Sequence, residues 1–216
     1  MWTIKKFVFS PFSENTYVLY NENKDAIVVD PGCFTPEEEQ ALVHFISSNN
    51  LTIKRLLNTH AHLDHVFGND FVNKTYGVGV EMHEKDVVTL HRMPVAAEMW
   101  GIKGYKTSPE PVNFLKEGEK IVLGNDELDI VFVPGHAPGH VAFISQTQKF
   151  VIGGDVLFEG SIGRVDLPGG SLEVLMRSIL TEFLVLDDDF VVYSGHGNET
   201  TIGKERNTNP FILEYC

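Results

Sequence analysis

The sequence predicts an α+β sandwich in which two strand-rich halves each supply a sheet, the sheets face one another and helices lie outside. Three observations predict it. Short β-branched and aromatic runs recur in both halves of the 216 residues, each half also carries helical segments, and a crossing marked by Gly101, Gly104, Pro109 and Pro111 falls near the midpoint. With 43% apolar residues the chain is long enough for a substantial core, and a single domain over 1–216, with two pseudo-equivalent halves meeting near 101–112, is expected. The halves share no strong sequence identity, so the equivalence is architectural.

Residues 2–9, 16–20 and 26–29, separated by Pro11, Asn15 and the turn cluster at 21–25, read as an opening antiparallel meander. Thr35-Pro36-Glu37-Glu38 starts a helix, with Thr35 as cap, Pro36 at the first helical position and acids on the positive end of the dipole; Leu42, Val43 and Ile46 give its buried stripe. Ile53–Leu57 is a strand ending at Asn58-Thr59-His60, and mostly helical segments follow near 66–74 and 84–100. In the second half, Ile121–Leu123, Leu128–Val133, Val141–Ser145 and Phe150–Ile152 read as strands, Ser171 to about Glu182 as a helix and Phe190–Tyr193 as the final strand.

Seventeen basic against thirty acidic residues give a net charge of −13, which opposes nonspecific binding to nucleic acid or an anionic membrane surface. The acidic excess is concentrated in the second half. Two cysteines, Cys33 and Cys216, make a poor disulfide framework and fit a reducing compartment, with the cytoplasm as the default. The apolar run Phe7–Phe9 breaks at Ser10-Pro11, too short for a signal-peptide core or a membrane span.

The sharpest motif is Thr59-His60-Ala61-His62-Leu63-Asp64-His65, which places four potential metal ligands within six residues directly after an apolar strand. If the first part is extended, His60, His62 and Asp64 share a period-two direction while His65 turns toward a second position. Imidazole nitrogens with a carboxylate suit Zn²⁺, Fe²⁺ or Mn²⁺ without selecting among them. Val133-Pro134-Gly135-His136, Gly153-Gly154-Asp155 and Ser194-Gly195-His196-Gly197 each put a further metal-capable side chain at a strand end beside glycine, where the backbone can turn sharply.

Together with Asp30-Pro31-Gly32, Pro134–His140 and Gly160–Gly170, these segments resemble the metallo-β-lactamase-fold hydrolases, most nearly their short bacterial glyoxalase II-like (hydroxyacylglutathione hydrolase-like) members, over essentially the whole chain. The resemblance implies an αββα four-layer sandwich with two facing mixed sheets and metals at one edge. It also implies two divalent ions, zinc foremost and iron or manganese as alternatives, with His60, His62 and His136 on one ion, Asp64, His65 and His196 on the other, and Asp155 bridging. Asp30 and His140 are expected to support the site rather than ligate. A bridging hydroxide would attack a carbonyl, oriented by Asp64 and Asp155 as the catalytic carboxylates.

No serine elbow and no glycine-rich phosphate loop competes with this chemistry. A thioester fits, because a thiolate leaves with little proton donation. In the loop after Asp155, Arg164 is expected to bind the carboxylate of a small anionic thioester such as S-D-lactoylglutathione, with Phe158 lining the pocket; pairing with Asp166 is the competing role for Arg164. Only Gly197–Cys216 follow His196, so the helical C-terminal domain of longer glyoxalase II proteins is not expected, and glutathione need not be the favoured thiol. His44, His83, His91 and Cys33 are expected to be structural. Two alternatives stay open: a mononuclear iron persulfide dioxygenase using the first-strand histidines, His136 and Asp155, and a noncatalytic metal-binding or interaction protein.

Overall fold

The opening strands β1 (Thr3–Phe9), β2 (Glu14–Tyr20) and β3 (Asp25–Val29) pair antiparallel in chain order, as their turn residues predict. The structure, a computed structural model, describes residues 1–215; Cys216 lies outside them. The chain divides into two compact units, Met1–Leu115 with Val122–Asp126, and Lys116–Ile121 with the chain from Glu127 onward.

In the first unit the helix α1 (Pro36–Ser48) returns the chain so that β4 (Thr52–Leu57) pairs parallel with β3. Its start is a capping box: the Glu38 N–H donates to Thr35 Oγ1 at 3.3 Å and the Glu38 carboxylate accepts from the Thr35 N–H at 3.1 Å. Leu42 and Ile46 are buried from this helix, each stabilising by about 1.5–3 kcal/mol relative to exposure. After α2 (Asn69–Tyr76), which ends on Gly77 at φ 69°, the short strands β5 (Val80–Met82) and β6 (Asn113–Phe114) complete a six-stranded sheet in the order β1-β2-β3-β4-β5-β6. Between them the expected helical stretch is broken into a 3₁₀ turn (Glu84–Asp86), α3 (Val87–Leu90) and α4 (Met93–Met99). Pro94 explains the break, since it cannot donate back to Leu90 but is tolerated in the first turn of a new helix. Val18, Val28, Leu56, Val72, Val80 and Met82 are fully buried in this unit's core.

The second sheet contains β7 (Lys120–Leu123), β8 (Asp126–Phe132), β9 (Val141–Ser145) and β10 (Phe150–Gly154). A small hairpin of β11 (Leu157–Phe158) and β12 (Ser161–Ile162) follows, then α5 (Leu172–Ser178), whose cap Ser171 accepts from the Val174 N–H and whose helix widens into a π turn over Ile179–Phe183. β13 (Val191–Ser194) pairs parallel with β10, giving the order β14-β13-β10-β9-β8-β7 once β14 (Thr200–Thr201) is added. The strand expected to be last is therefore not: β14, α6 (Ile202–Thr208) and α7 (Pro210–Tyr215) follow it. A two-residue strand and two short helices leave too little periodicity to read in advance.

β10 carries one irregularity. Ile152 aligns with Tyr193 and Gly154 with Ser194, so Gly153 is an extra residue in the ladder. Ala142, Val151, Leu175, Met176, Phe183 and Val192 form this unit's core. Among the described residues no helix is long and apolar enough to cross a membrane.

Candidate metal centre

The first cluster grows from the end of β4. Backbone pairing continues through the Asn58 N–H to Glu81 O at 2.9 Å, the chain bends at Thr59 and is extended at His62 (φ −65°, ψ 156°), and Leu63–His65 then close a 3₁₀ turn. Asp64 thus lies in a turn, not on a continued strand alternation, because the strand ends at Leu57, the chain bends at Thr59 and the 3₁₀ turn starts at Leu63. His60 and His65 are fully buried with ring centroids 4.1 Å apart, and His60 and His62 are 4.7 Å apart. His65 Nε2 lies 3.9 Å from Asp64 Oδ2.

Asp30 organises this cluster from the end of β3. It sits at φ 48°, a left-handed conformation that aspartate tolerates better than most side chains. Its Oδ1 accepts from the Thr59 N–H at 2.7 Å; its Oδ2 accepts from the Thr59 hydroxyl at 2.6 Å and faces His65 Nδ1 at 3.1 Å. Because the Thr59 hydroxyl donates to Asp30, it accepts from His60 Nδ1, 3.0 Å away. One carboxylate therefore holds the Nδ1 edge of two imidazoles, directly for His65 and through Thr59 for His60, which makes Nε2 the lone-pair nitrogen of both. Donor atoms of Asp30, His60 and His65 also lie within 4.8 Å of one another, but the oxygens of Asp30 are already committed to these donors. Behind them Glu14 is fully buried, 4.0 Å from His65 Nδ1 through Oε1, and burial holds its carboxyl well above the usual range. Gly32 leaves room for it, since a Cβ there would lie 2.0 Å from Glu14 Oε2 and 2.9 Å from the Asp64 carbonyl.

The second cluster is gathered from three strand ends of the other unit. His136 follows β8 after Gly135, whose φ of 129° and 2.2 Å approach of a notional Cβ to the Leu175 nitrogen admit no side chain. Asp155 follows β10 and His196 follows β13, tied by the Gly195 N–H to Gly154 O at 2.8 Å. Asp155 Oδ2 lies 3.5 Å from His136 Nε2 and 3.6 Å from His196 Nε2. His136 Nδ1 donates to the Arg164 carbonyl at 2.8 Å, so its Nε2 is again the lone-pair nitrogen. The Asp155 N–H donates to His140 Nε2 at 3.0 Å, which occupies that nitrogen of His140 in orienting the backbone. His196 is the more open member, its side chain 29% exposed, with the Phe158 ring 6.2 Å away. The Arg164 guanidinium forms a two-pronged pair with Asp166, 2.7 Å on each prong, and holds that carboxyl down to about 2.

Other candidates fall outside both clusters. His44 and His91 are exposed in contacts with Ser48 and Glu110, and His83 Nδ1 accepts from the Lys85 N–H. Cys33 is buried and burial pushes its thiol up, which suits neither a thiolate ligand nor a nucleophile. Glu14 and Thr59 are contacts that sequence reasoning missed, as are Asn58, whose Nδ2 donates to the His65 carbonyl at 2.9 Å, and Asp86, whose Oδ2 accepts from the Ala61 N–H. Thr59 and Asn58 directly precede the histidine run in sequence, but nothing in sequence links Glu14 or Asp86 to it.

The donor set fits a divalent ion. Separations of 3.5–3.6 Å between Asp155 Oδ2 and two imidazole nitrogens exceed good hydrogen bonds. They match the roughly 3–3.6 Å spacing of donors bound at about 2.0–2.2 Å to a common ion. Nδ1 held by an oxygen while Nε2 points at other donors is the outer arrangement that metal-binding histidines use.

The family model of the metallo-β-lactamase superfamily matches residues 10–196. Over 93% of both chains the sequence is 38% identical to a protein of Haemophilus influenzae named hydroxyacylglutathione hydrolase GloC. Among solved structures, BLEG-1, named a B3 metallo-β-lactamase, superposes with a TM-score of 0.88 at 35% identity, covering 97% of this chain and 99% of that one. TTHA1623 in a di-iron-bound form superposes at 0.86 with 35% identity over 96% and 99%. ETHE1 from Myxococcus xanthus, at 21% identity and a TM-score of 0.77 over 96% and 83%, shares the fold. With the family model spanning most of its length and relatives above 30% identity aligned nearly end to end, this chain belongs to the metallo-β-lactamase superfamily and has its α+β sandwich fold.

Proposed function

We propose that the protein is a binuclear metal-dependent hydrolase, a single domain, that cleaves a small anionic thioester, S-D-lactoylglutathione or a related acyl thioester. The observation that carries this reading is the single carboxylate oxygen of Asp155 set between two imidazole nitrogens, 3.5 Å from His136 and 3.6 Å from His196. In the proposed ligand set His60, His62 and His136 would hold one ion, Asp64, His65 and His196 would hold the other, and Asp155 would be available to both. Zinc and iron suit these donors, and the di-iron form of a 35% identical relative supports iron as well as zinc. Divalent ions bound there would supply Lewis acidity, lowering the pKa of a water and polarising a carbonyl.

The chain's own residues supply the rest. Asp64 and Asp155 orient the attacking water by accepting its hydrogen bonds at their carboxylate oxygens. Asp30 and Thr59 keep the Nδ1 protons of His65 and His60 in place, and His140 holds the backbone of Asp155. Arg164 exchanges Asp166 for the carboxylate of the substrate, and Phe158 walls the open flank beside His196. The thioester assignment draws support from the hydroxyacylglutathione hydrolase relative, and a thiolate departs without an acid placed for it. A second reading, β-lactam hydrolysis, is favoured by the 35% identity to BLEG-1, a protein named a B3 metallo-β-lactamase.

The test is anaerobic loading with Zn²⁺ or Fe²⁺, metal analysis, and parallel assays with S-D-lactoylglutathione, a β-lactam, and glutathione persulfide with oxygen uptake. Two ions per chain and thioester turnover are expected. Faster β-lactam turnover would move the assignment to the second reading, and oxygen uptake without hydrolysis would overturn both.

A further inference from the structure

Asp86 is fully buried where the 3₁₀ turn meets α3, twenty-five residues beyond the peptide it contacts. Its Oδ2 accepts from the Ala61 N–H at 2.5 Å and its Oδ1 from the Thr89 hydroxyl at 3.1 Å. Ala61 is also fully buried and lies between His60 and His62, so its N–H needs an acceptor from the protein. On the other side of His60, the Thr59 N–H donates to Asp30. Two carboxylates from distant parts of the chain thus grip the backbone before and after one histidine. The His60–Ala61 peptide, and the Asn58–Thr59 peptide one position further back, cannot rotate without losing a charge-assisted bond.

We infer that Asp86 is a positioning residue for the ion carried by His60 and His62, fixing the peptide that sets their separation and adding negative charge beside them. The inference rests on the binuclear reading. Removing such outer partners lowers metal affinity by about 10- to 100-fold, and here the loss should fall on one ion of the two.

The experiment is Co²⁺ titration of the metal-free full chain against a competing chelator, followed by its visible spectrum. Wild type, Asp86→Ala and Asp86→Asn are compared, and amide exchange is measured at Ala61. Wild type should take up two ions. Asp86→Ala should weaken one by about 10- to 100-fold, leave the other within about twofold and speed Ala61 exchange. Asp86→Asn, which keeps an acceptor oxygen but loses the charge, should weaken the same ion only several-fold and keep Ala61 exchange near that of wild type. If Asp86→Ala does not fold, Asp86→Asn carries the test through a selective several-fold weakening of one ion. Unchanged affinities for both ions, or equal losses that asparagine does not rescue, would overturn the assignment. A wild type that fails to bind two ions would sink the binuclear reading instead, while unprotected Ala61 exchange in the metal-free wild type would sink the tether.

Discussion

The two donor clusters are built by opposite means. His60, His62, Asp64 and His65 come from one short stretch, are closed by a 3₁₀ turn, and are held by Asp30 and Asp86. His136, Asp155 and His196 come from three separate strand ends, and what brings them together is the register of β8, β10 and β13. The first cluster depends on outer carboxylates, the second on sheet pairing and glycine. Each way of making a site has its own weak point, and substitutions can separate them.

The largest effect is expected at the carboxylate facing both imidazoles. Asp155→Asn should lower thioester turnover of the metal-loaded protein by at least about 1,000-fold with the fold retained by circular dichroism. Turnover within tenfold of wild type would remove the central member of the second cluster. Asp64→Asn should cost at least about a hundredfold, since it alters one proposed ligand and the orientation of the water. Near-normal turnover in a folded, metal-loaded variant would count against that role.

Next come the two glycines that back the clusters. Gly163→Ala would put a Cβ 2.0 Å from the Asp155 carbonyl and 3.1 Å from His136 Nδ1, and Gly32→Ala would put one 2.0 Å from the Glu14 carboxylate. Overpacking of this kind costs about 1–3 kcal/mol, and Gly163→Ala should lower the denaturation midpoint more, because its nearest obstacle is backbone rather than a side-chain end. The reverse order in urea unfolding would show that the first cluster is the more rigid.

The smallest effects belong to the exposed Arg164–Asp166 pair. Arg164→Ala should raise KM several-fold for an anionic thioester and leave a neutral one unchanged, whereas equal losses with both would make the residue a loop anchor. The pair also has a pH signature. Asp166 is held at about 2 against an ordinary 3.8, so the pairing contributes stability above the unfolded value and loses it as pH falls through about 2. In Arg164→Ala, carboxyl titration followed by NMR should return Asp166 toward 3.8, and a value that stays near 2 would assign the shift to another partner.

The same contrast explains what the sequence made legible. The first cluster is written consecutively, so residue type and spacing expose it, and each member of the second follows an apolar run beside glycine, a weaker but repeated sign. Core strands and the capped α1 are legible because period and capping chemistry act within a few residues. Glu14 and Asp86 are not, because a buried carboxylate that meets a partner across the fold looks locally like a solvated acid. The break before α4 had a visible cause in Pro94, whereas β14 and the helices after it rest on packing that short segments do not advertise.

The extra residue at Gly153 bears on how length can vary in this chain over evolutionary time. Asp155 follows the bulge by two positions, and a bulge bends and twists the strand that carries it, so deleting Gly153 would leave Gly154 opposite Ser194 but straighten the strand end that aims the carboxylate. Insertions beyond the hairpin at 157–162 displace no strand end. A longer Arg164 loop would therefore widen the range of molecules that loop can meet while leaving the bend at the end of β10 as it is.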